Sequence, residues 1–514
     1  MQQTPLDSPT QLPGAVNAWH ATIDASHWRA QCRQVRDDGG RLVALWGSDE
    51  REHAAGFAVH CALATREGML WLTLPLDAQQ PAYPDISSDF PAAARMQRAV
   101  YDLLGLQATD AADQRKWLRH AAWPDGQFPL RKTFAAATHT ADAHDDYPFV
   151  RVSGDGVHEI PVGPVHAGTI EPGHFRFSVV GERVLRLEER LGYTHKGIEK
   201  RFEALSLTQG AKLAGRISGD STVAYAWAYA MAVEGVTNAV VPPRVLWLRA
   251  LFLERERIAN HLGDLGYLGG DAALSFGFAQ FWILKEQMLH LNKAAFGHRY
   301  LMDCVIPGGV TADLNTDYAR QILRETDALE RTVNTLRATY DEHAGVQDRF
   351  LTTGIVTPTL AAQLGLAGLA GRASAQAWDL RAQQPCSPYD ALDVRMATHR
   401  SGDVAARVSV RFDEIAESLR LVRRILTLIP DGPLRSELPA ATPRALGLGW
   451  IESWRGEVLV ALHTNDSGGI ARLHAHDPSW QNWPLLEHAV IGNIVPDFPL
   501  INKSFNLSYS GHDL

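Results

Sequence analysis

The apolar positions of the chain fall into two regimes. Early on they come in short runs of strand length, 42–46 (LVALW), 57–63 (FAVHCAL) and 69–74 (MLWLTL), each bounded by turn residues. A helix over 92–104 follows. Residues 137–148 are polar and short of large apolar groups, which reads as a linker. Two more strands are predicted over 158–162 and 175–180. From about residue 205 to about 428 the period changes, and apolar residues recur at three and four, as on helices with one buried stripe. The long examples are 245–263, 276–296 and 318–343. The stretch 444–514 reads as β-like again, with Trp, Gly and Pro punctuation and a Gly/Ser/Asn tail. The pattern predicts an α+β protein. A small α/β domain occupies 1–136, a linker 137–149, and a mainly α domain 150–514, with a long helix bundle and peripheral strands.

One stretch breaks the amphipathic pattern. Gly215 to Tyr225 reads as a tight Gly/Ser turn that feeds a helix through Glu234, and this helix is apolar on nearly every side. Such a helix is buried. Its mouth nevertheless carries Arg216, Ser218, Asp220 and Ser221, and buried polar groups must find partners.

Composition narrows the function classes. The 514 residues allow two or three domains. A net charge of −9 argues against a nucleic-acid partner, which needs a basic face. No window approaches the roughly 18 unbroken apolar residues of a membrane span. The N-terminal residues lack a positive start and an apolar run, so a cytoplasmic protein is expected. The four cysteines, Cys32, Cys61, Cys304 and Cys386, form no Cys-x-x-Cys pair and read as small core residues. Neither a Walker A sequence nor a strand-borne G-x-G-x-x-G is present, so direct nucleotide binding is unsupported. Gly365, Gly368 and Gly371 at three-residue spacing suggest close packing.

The turn at 216–221, Arg-Ile-Ser-Gly-Asp-Ser, resembles the Arg-Val-Cys-Gly-Ile-Cys turn of nickel–iron hydrogenase large subunits, including the Ala-Tyr…Ala-Val-Glu helix that follows. Further stretches match that superfamily, which includes the 49-kDa subunit of complex I, and they keep its order. They are 163–166 (GPVH) with 171–175 (EPGHF), 191–200 (LGYTHKGIEK), 256–262 (ERIANHL) with Asp271, 308–310 (GGV) with Asp313, Arg372 with Asp379 and Arg381, Asp403 with Arg407, Arg411 and Glu414, and 454–457 (WRGE). Ahead of them, 101–106 (YDLLGL) and 123–132 (WPDGQFPLRK) resemble the complex I 30-kDa subunit family. That module is fused ahead of the large subunit in formate hydrogenlyase-type enzymes.

The resemblance breaks where the metal would sit. Ser218, Ser221, Ser508 and Gly511 stand at the four thiolate positions, and Tyr225 stands at the neighbouring His. Nickel and iron in that site need soft, ionised sulfur. The expectation is therefore no nickel–iron centre, no hydrogenase activity and no cofactor bound by this chain. Hydrogenase precursors often lose a C-terminal extension after metal insertion, and three residues follow Gly511 here, so none is expected to be removed. The complex I relative turned the vacated cavity into a quinone headgroup site. Its quinone-bonding residues carry over only in part: His166 matches the first His, the second falls near Glu171 or Pro172, and the Tyr falls at Gly219.

The resemblance implies a candidate cavity lined by His166, Ser218, Ser221, Tyr225 and Ser508, faced by both Arg216 and Arg455, with Asp220 as the partner of Arg216. Glu171, His166 and His174 form the expected proton-handling group. His195, Lys196 and His261 are expected to be structural, and Asp271 to cap the next element. Two functional readings follow. One is electron transfer to quinone, or redox and proton coupling, in a membrane-associated complex I-like or group 4 hydrogenase-like assembly. Its partners would be a small iron–sulfur subunit, which carries the cluster, and antiporter-like membrane subunits, with this chain on the cytoplasmic face of the inner membrane. NAD binding enters only as a family label. The other reading is a non-catalytic scaffold of an ion- or carbon-transporting complex. A cavity open toward the membrane favours the first, and a cavity filled by side chains excludes redox turnover there.

Overall fold

The computed structural model describes residues 9–53, 56–134, 146–166 and 170–514, so most of the expected linker lies outside the described residues. A five-stranded sheet opens the fold, in the order Thr10–Gln11, Ala18–Thr22, Met69–Leu76, Phe57–Ala64, Arg41–Asp49. Only the pairing of Ala18–Thr22 with Met69–Leu76 is parallel. Phe57–Ala64 shows why this sheet is buried on both faces. Its large residues Phe57, Val59, Cys61 and Leu63 join the core under the helices Ala25–Asp37 and Ala93–Leu104. Its small residues Ala62 and Ala64 face the other way, onto Leu459 and Ala461 of a second sheet. That second sheet, Leu446–Glu452, Glu457–Thr464 and Ile470–His476, is antiparallel. Alternation of large and small side chains thus lets one strand serve two interfaces.

The helix predicted from its all-round apolarity is Thr222–Thr237, and every residue in it is buried. It lies against the second sheet at unusually short range. A Cβ on Gly449 would sit 1.7 Å from the Ala228 carbonyl, and one on Gly447 2.2 Å from that of Ala232. Alanines four apart on the helix and glycines two apart on the strand are what allow the two backbones to approach.

Around this pair run the long helices Pro243–Asp271, Ser275–Phe296, Thr316–Glu342 and Val404–Leu428. Pro243–Asp271 is buried along most of its length, although it carries many charges. These charges find partners. Arg249 donates to Glu234 (2.6 Å), Arg255 to Glu325 (2.8 Å), Arg257 to the Glu452 and Ser453 carbonyls (2.8 Å each), and Arg411 to Asp264 (2.8 Å). His261 meets Glu414 at 2.8 Å, which makes it the packing histidine expected. Asp271 ends its helix bonded to Lys503 rather than capping the next one.

The C-terminal stretch differs from the β-like expectation. After His476 it folds into the helices Ser479–Ala489, Phe498–Phe505 and Tyr509–Asp513. These are short and buried on most sides (Trp480, Trp483, Leu485, Leu486), so they carry little of the 3.6-residue period that marks a longer helix. Gly368, with φ +62°, packs a loop against Arg455: a Cβ there would lie 2.0 Å from the Arg455 carbonyl.

Gly449→Ala is expected to destabilise the chain by at least the roughly 1–3 kcal/mol of an overpacked core, because the obstacle is backbone. Gly219→Ala, which meets nothing within 4 Å, is expected to stay within about 0.5 kcal/mol. Urea denaturation of both variants checks the pair. Equal midpoints would contradict the packing described.

Candidate functional site: a polar cluster at the mouth of the central helix

Three distant segments meet at the N-terminal end of Thr222–Thr237: the turn through 216–221, the tight turn 453–456 and the segment 506–511. Ser218 Oγ lies 2.8 Å from Ser508 Oγ, and it donates to Asp220 Oδ1 at 2.7 Å. Ser508 Oγ also accepts the Gly511 N–H (2.8 Å), while its own N–H donates to Ser479 Oγ (2.9 Å). Arg455 is 2% exposed and donates to Asp220 Oδ2 (2.6 Å), to Ser221 Oγ (3.4 Å) and to the Asn506 carbonyl (2.5 Å). The Asp220 carbonyl accepts from Trp454 Nε1 (2.9 Å) and Asn260 (2.7 Å). Four of the expected residues, Ser218, Ser221, Ser508 and Arg455, are therefore brought together, and they bond to one another.

Tyr225 is fully buried and donates to Asp477 Oδ2 at 2.8 Å. That carboxylate takes the space a side chain at 511 would use, since a Cβ on Gly511 would lie 2.4 Å from it. Burial first, and then the Asp477 charge, pushes the Tyr225 hydroxyl well above its usual range. Burial would raise the Asp220 carboxyl, whose side chain still keeps 39% of its surface in solvent, but Arg455 outweighs it and holds the group below the ordinary aspartate value. Burial also opposes the Arg455 charge. The nearby Asp220 and Asp477 carboxylates reverse this and leave the guanidinium firmly protonated.

Arg216 is elsewhere. It is exposed and bonds in bidentate fashion to Asp303 (2.6 and 2.7 Å), so the expected shared cavity with Arg455, and the pairing with Asp220, are corrected. The reason is competition. Arg455 has no solvent to fall back on and takes the carboxylate at 220, whereas Arg216 points outward. Glu171 is also at the surface. It accepts the Ser510 N–H at 3.1 Å and the Ser510 hydroxyl, which ties it to the 506–511 segment without burying it. His174 is buried, with Nδ1 2.9 Å from the Gly163 carbonyl, and its pKa is lowered by that burial. His166 is half-buried beside Gly163; residues 167–169, between it and Glu171, lie outside the described residues. His195 Nδ1 meets the Asp513 carbonyl at 2.7 Å and the Lys196 N–H donates to the Leu514 carbonyl (2.8 Å), the structural roles expected of both.

Sequence reasoning missed Asp477 and Glu256. Glu256 is buried and accepts the Val223 and Ala224 N–H groups (2.7 and 3.2 Å), which are orphan donors at the start of the central helix. Burial pushes its pKa up to about 8, against those two bonds. Its helix carries several carboxylates, so no local signal set Glu256 apart.

The fold is one seen before in a respiratory assembly. A chain of the membrane-bound sulfane sulfur reductase, an archaeal respiratory membrane complex, superposes with a TM-score of 0.66 over 70% of this chain and 99% of its own, at 24% identity. The fold is therefore shared with a chain of that complex. The family models described as respiratory-chain NADH dehydrogenase 49 Kd subunit and 30 Kd subunit match residues 271–448 and 21–140. Formate hydrogenlyase subunit 5 of Escherichia coli is 32% identical, over 92% of this chain and 85% of the relative. Hydrogenase-4 component G of the same organism is 31% identical, over 92% and 84%. An NADH-quinone oxidoreductase subunit of Phocaeicola vulgatus is 27% identical, over 82% and 85%. The chain belongs to the hydrogenase large subunit and complex I 49-kDa superfamily, in its formate hydrogenlyase large-subunit type with a 30-kDa-like unit ahead.

Glu256 gives a pH signature. Its folded pKa, about 8, lies above the ordinary 4.5, so between those values the folded state holds the extra proton and stability falls as pH rises. Chemical denaturation from pH 5 to pH 8 is expected to show that decline in the wild type and a flatter profile in Glu256→Gln. An unchanged slope in the variant would assign the decline to other groups.

Proposed function

We propose that this chain is a metal-free large subunit of a membrane-associated, complex I-like or group 4 hydrogenase-like assembly, and that it couples and holds its partners instead of carrying electrons. The names of its relatives, subunits of formate hydrogenlyase, hydrogenase-4 and NADH-quinone oxidoreductase, support the type of assembly. Among the described residues no helix is long and apolar enough to cross a membrane, consistent with a peripheral subunit. Its place is the cytoplasmic side, beside membrane subunits. Electrons pass through an iron–sulfur cluster on a small partner subunit.

The observation that carries the metal-free reading is the Ser218–Ser508 contact of 2.8 Å together with the Asp477 carboxylate 2.4 Å from the Cβ position of Gly511. The donors present do not fit a nickel–iron pair. A hydroxyl stays protonated near neutral pH and is a hard, poor ligand for nickel and iron, and residue 511 offers no ligand atom. The same contacts weigh against a quinone headgroup at this place. Ser218, Ser221, Ser508 and Tyr225 spend their hydrogen bonds on one another, on Asp220, Asp477 and Arg455, or on backbone. A ligand in place of these contacts would disturb the Arg455–Asp220 pair, and a buried guanidinium that loses a partner is costly. The favoured role is therefore a rigid coupling element: a charge pair that fixes three turns relative to one another.

Nickel is the discriminating metal, because an iron–sulfur partner brings iron but no nickel. Elemental analysis of the purified assembly is expected to find nickel far below one per chain, and hydrogen uptake with a viologen acceptor is expected to be absent. Stoichiometric nickel would overturn the proposal.

A further inference from the structure

The strongest unassigned chemistry lies far from the cluster, where the first sheet meets the second. A ligand atom from each of Glu50, His60 and His463 lies within 4.8 Å of the other two. The three come from different places: Glu50 follows strand Arg41–Asp49, His60 is on Phe57–Ala64, and His463 is on Glu457–Thr464 of the second sheet. From this arrangement, the geometry points to a site for a borderline divalent transition cation of the zinc class, which would staple the N-terminal sheet to the C-terminal one.

Two features favour a ligand here. His463 is 8% exposed, and its Nδ1 faces Glu50 Oε1 at 3.8 Å. The second feature is the way His60 is held. One ring nitrogen faces Ser48 Oγ at 2.8 Å and the other Thr73 Oγ1 at 2.9 Å. A hydroxyl donates or accepts as required, so either nitrogen can release its hydroxyl to a cation while the other keeps the ring oriented, the usual outer-shell arrangement of a metal-bound histidine. The third contact of that ring, from Trp71 Nε1, is long at 3.3 Å and easily given up.

The charges are suited to the task. The two cations nearest His463 are each committed to a carboxylate, Arg472 to Glu199 and Lys132 to Glu203, both at 3.0 Å. The Glu50 side chain, 28% exposed, supplies negative charge and sits at the solvent rim, which gives a cation its way in. Two imidazoles and one carboxylate suit zinc and its neighbours better than magnesium or calcium. Metal bonds of about 2.1 Å place tetrahedral ligands roughly 3.4 Å apart, so binding requires a small inward rotation of the rings and of Glu50. His463 Nδ1 and Glu50 Oε1, at 3.8 Å, are already close to that spacing.

The test uses the full chain, stripped with chelator and titrated with zinc chloride by calorimetry, with cobalt(II) as a spectroscopic stand-in. Wild-type protein is expected to take up one zinc per chain and to show the visible bands of low-symmetry cobalt. Glu50→Gln and His463→Gln are each expected to weaken zinc by at least about tenfold, the scale on which metal sites respond to altered shells. Circular dichroism without metal is expected to be the same as wild type. If His463→Gln fails to fold, Glu50→Gln at the rim decides alone. Absence of stoichiometric zinc, or equal affinity in the wild type and Glu50→Gln, would overturn the inference, the latter by assigning the metal to other histidines.

Discussion

The structure depends on one buried cation. Arg455 is almost wholly shielded from solvent, and an unpaired guanidinium in that position would cost several kcal/mol. Asp220 at 2.6 Å supplies the counter-charge, and the Asn506 carbonyl at 2.5 Å supplies a further acceptor. These two bonds draw the 216–221 turn and the 506–511 segment onto the 453–456 turn. Once they are together, Ser218 and Ser508 fall within hydrogen-bond distance, and Asp477 fills what Gly511 leaves open. In the resemblance that the sequence carries, four thiolates around two metals would perform this joining. In this chain the ion pair joins the same three turns.

The surrounding frame explains how so polar a mouth is tolerated. The neighbouring helix Pro243–Asp271 presents Glu256 to the free N–H groups of the central helix, and its other charges close against partners from several different elements. Such buried pairs add little net stability compared with apolar residues of the same size, but losing one partner is expensive. They therefore act as keys. A helix turned by one residue would leave several charges unpaired at once.

Much of this was legible in the sequence. The long helices, three of the five strands of the first sheet and the all-round burial of 222–237 follow from hydrophobic period alone, and the ordered motifs placed the serines and Arg455 in one neighbourhood; the short strands Thr10–Gln11 and Ala18–Thr22 were not legible. The pairings were not legible. Arg216 and Arg455 carry the same charge at comparable motif positions, and only the three-dimensional burial of Arg455 decides which of them takes Asp220. Glu171 looked like a buried acid because its motif lies beside histidines in a loop that the family places at the cavity, yet the loop carries it to the surface beside Ser510. Asp477 has no local signal at all. It matters because position 511 lacks a side chain, a relation between residues on opposite sides of a three-helix segment. The zinc-class cluster was invisible for the same reason, as its members come from two sheets.

The central claim is that Ser218 and Ser508 are shut inside the cluster, at 3% and 4% exposure, and thiol accessibility at Ser218 tests it most directly. Ser218→Cys places a near-isosteric reporter inside the Ser508–Asp220–Arg455 contact. The account predicts that a small alkylating reagent leaves this thiol unmodified in the native protein and modifies it only after unfolding. Labelling of native Ser218→Cys at the rate of an exposed thiol, with the wild-type cysteines unreactive, would contradict it.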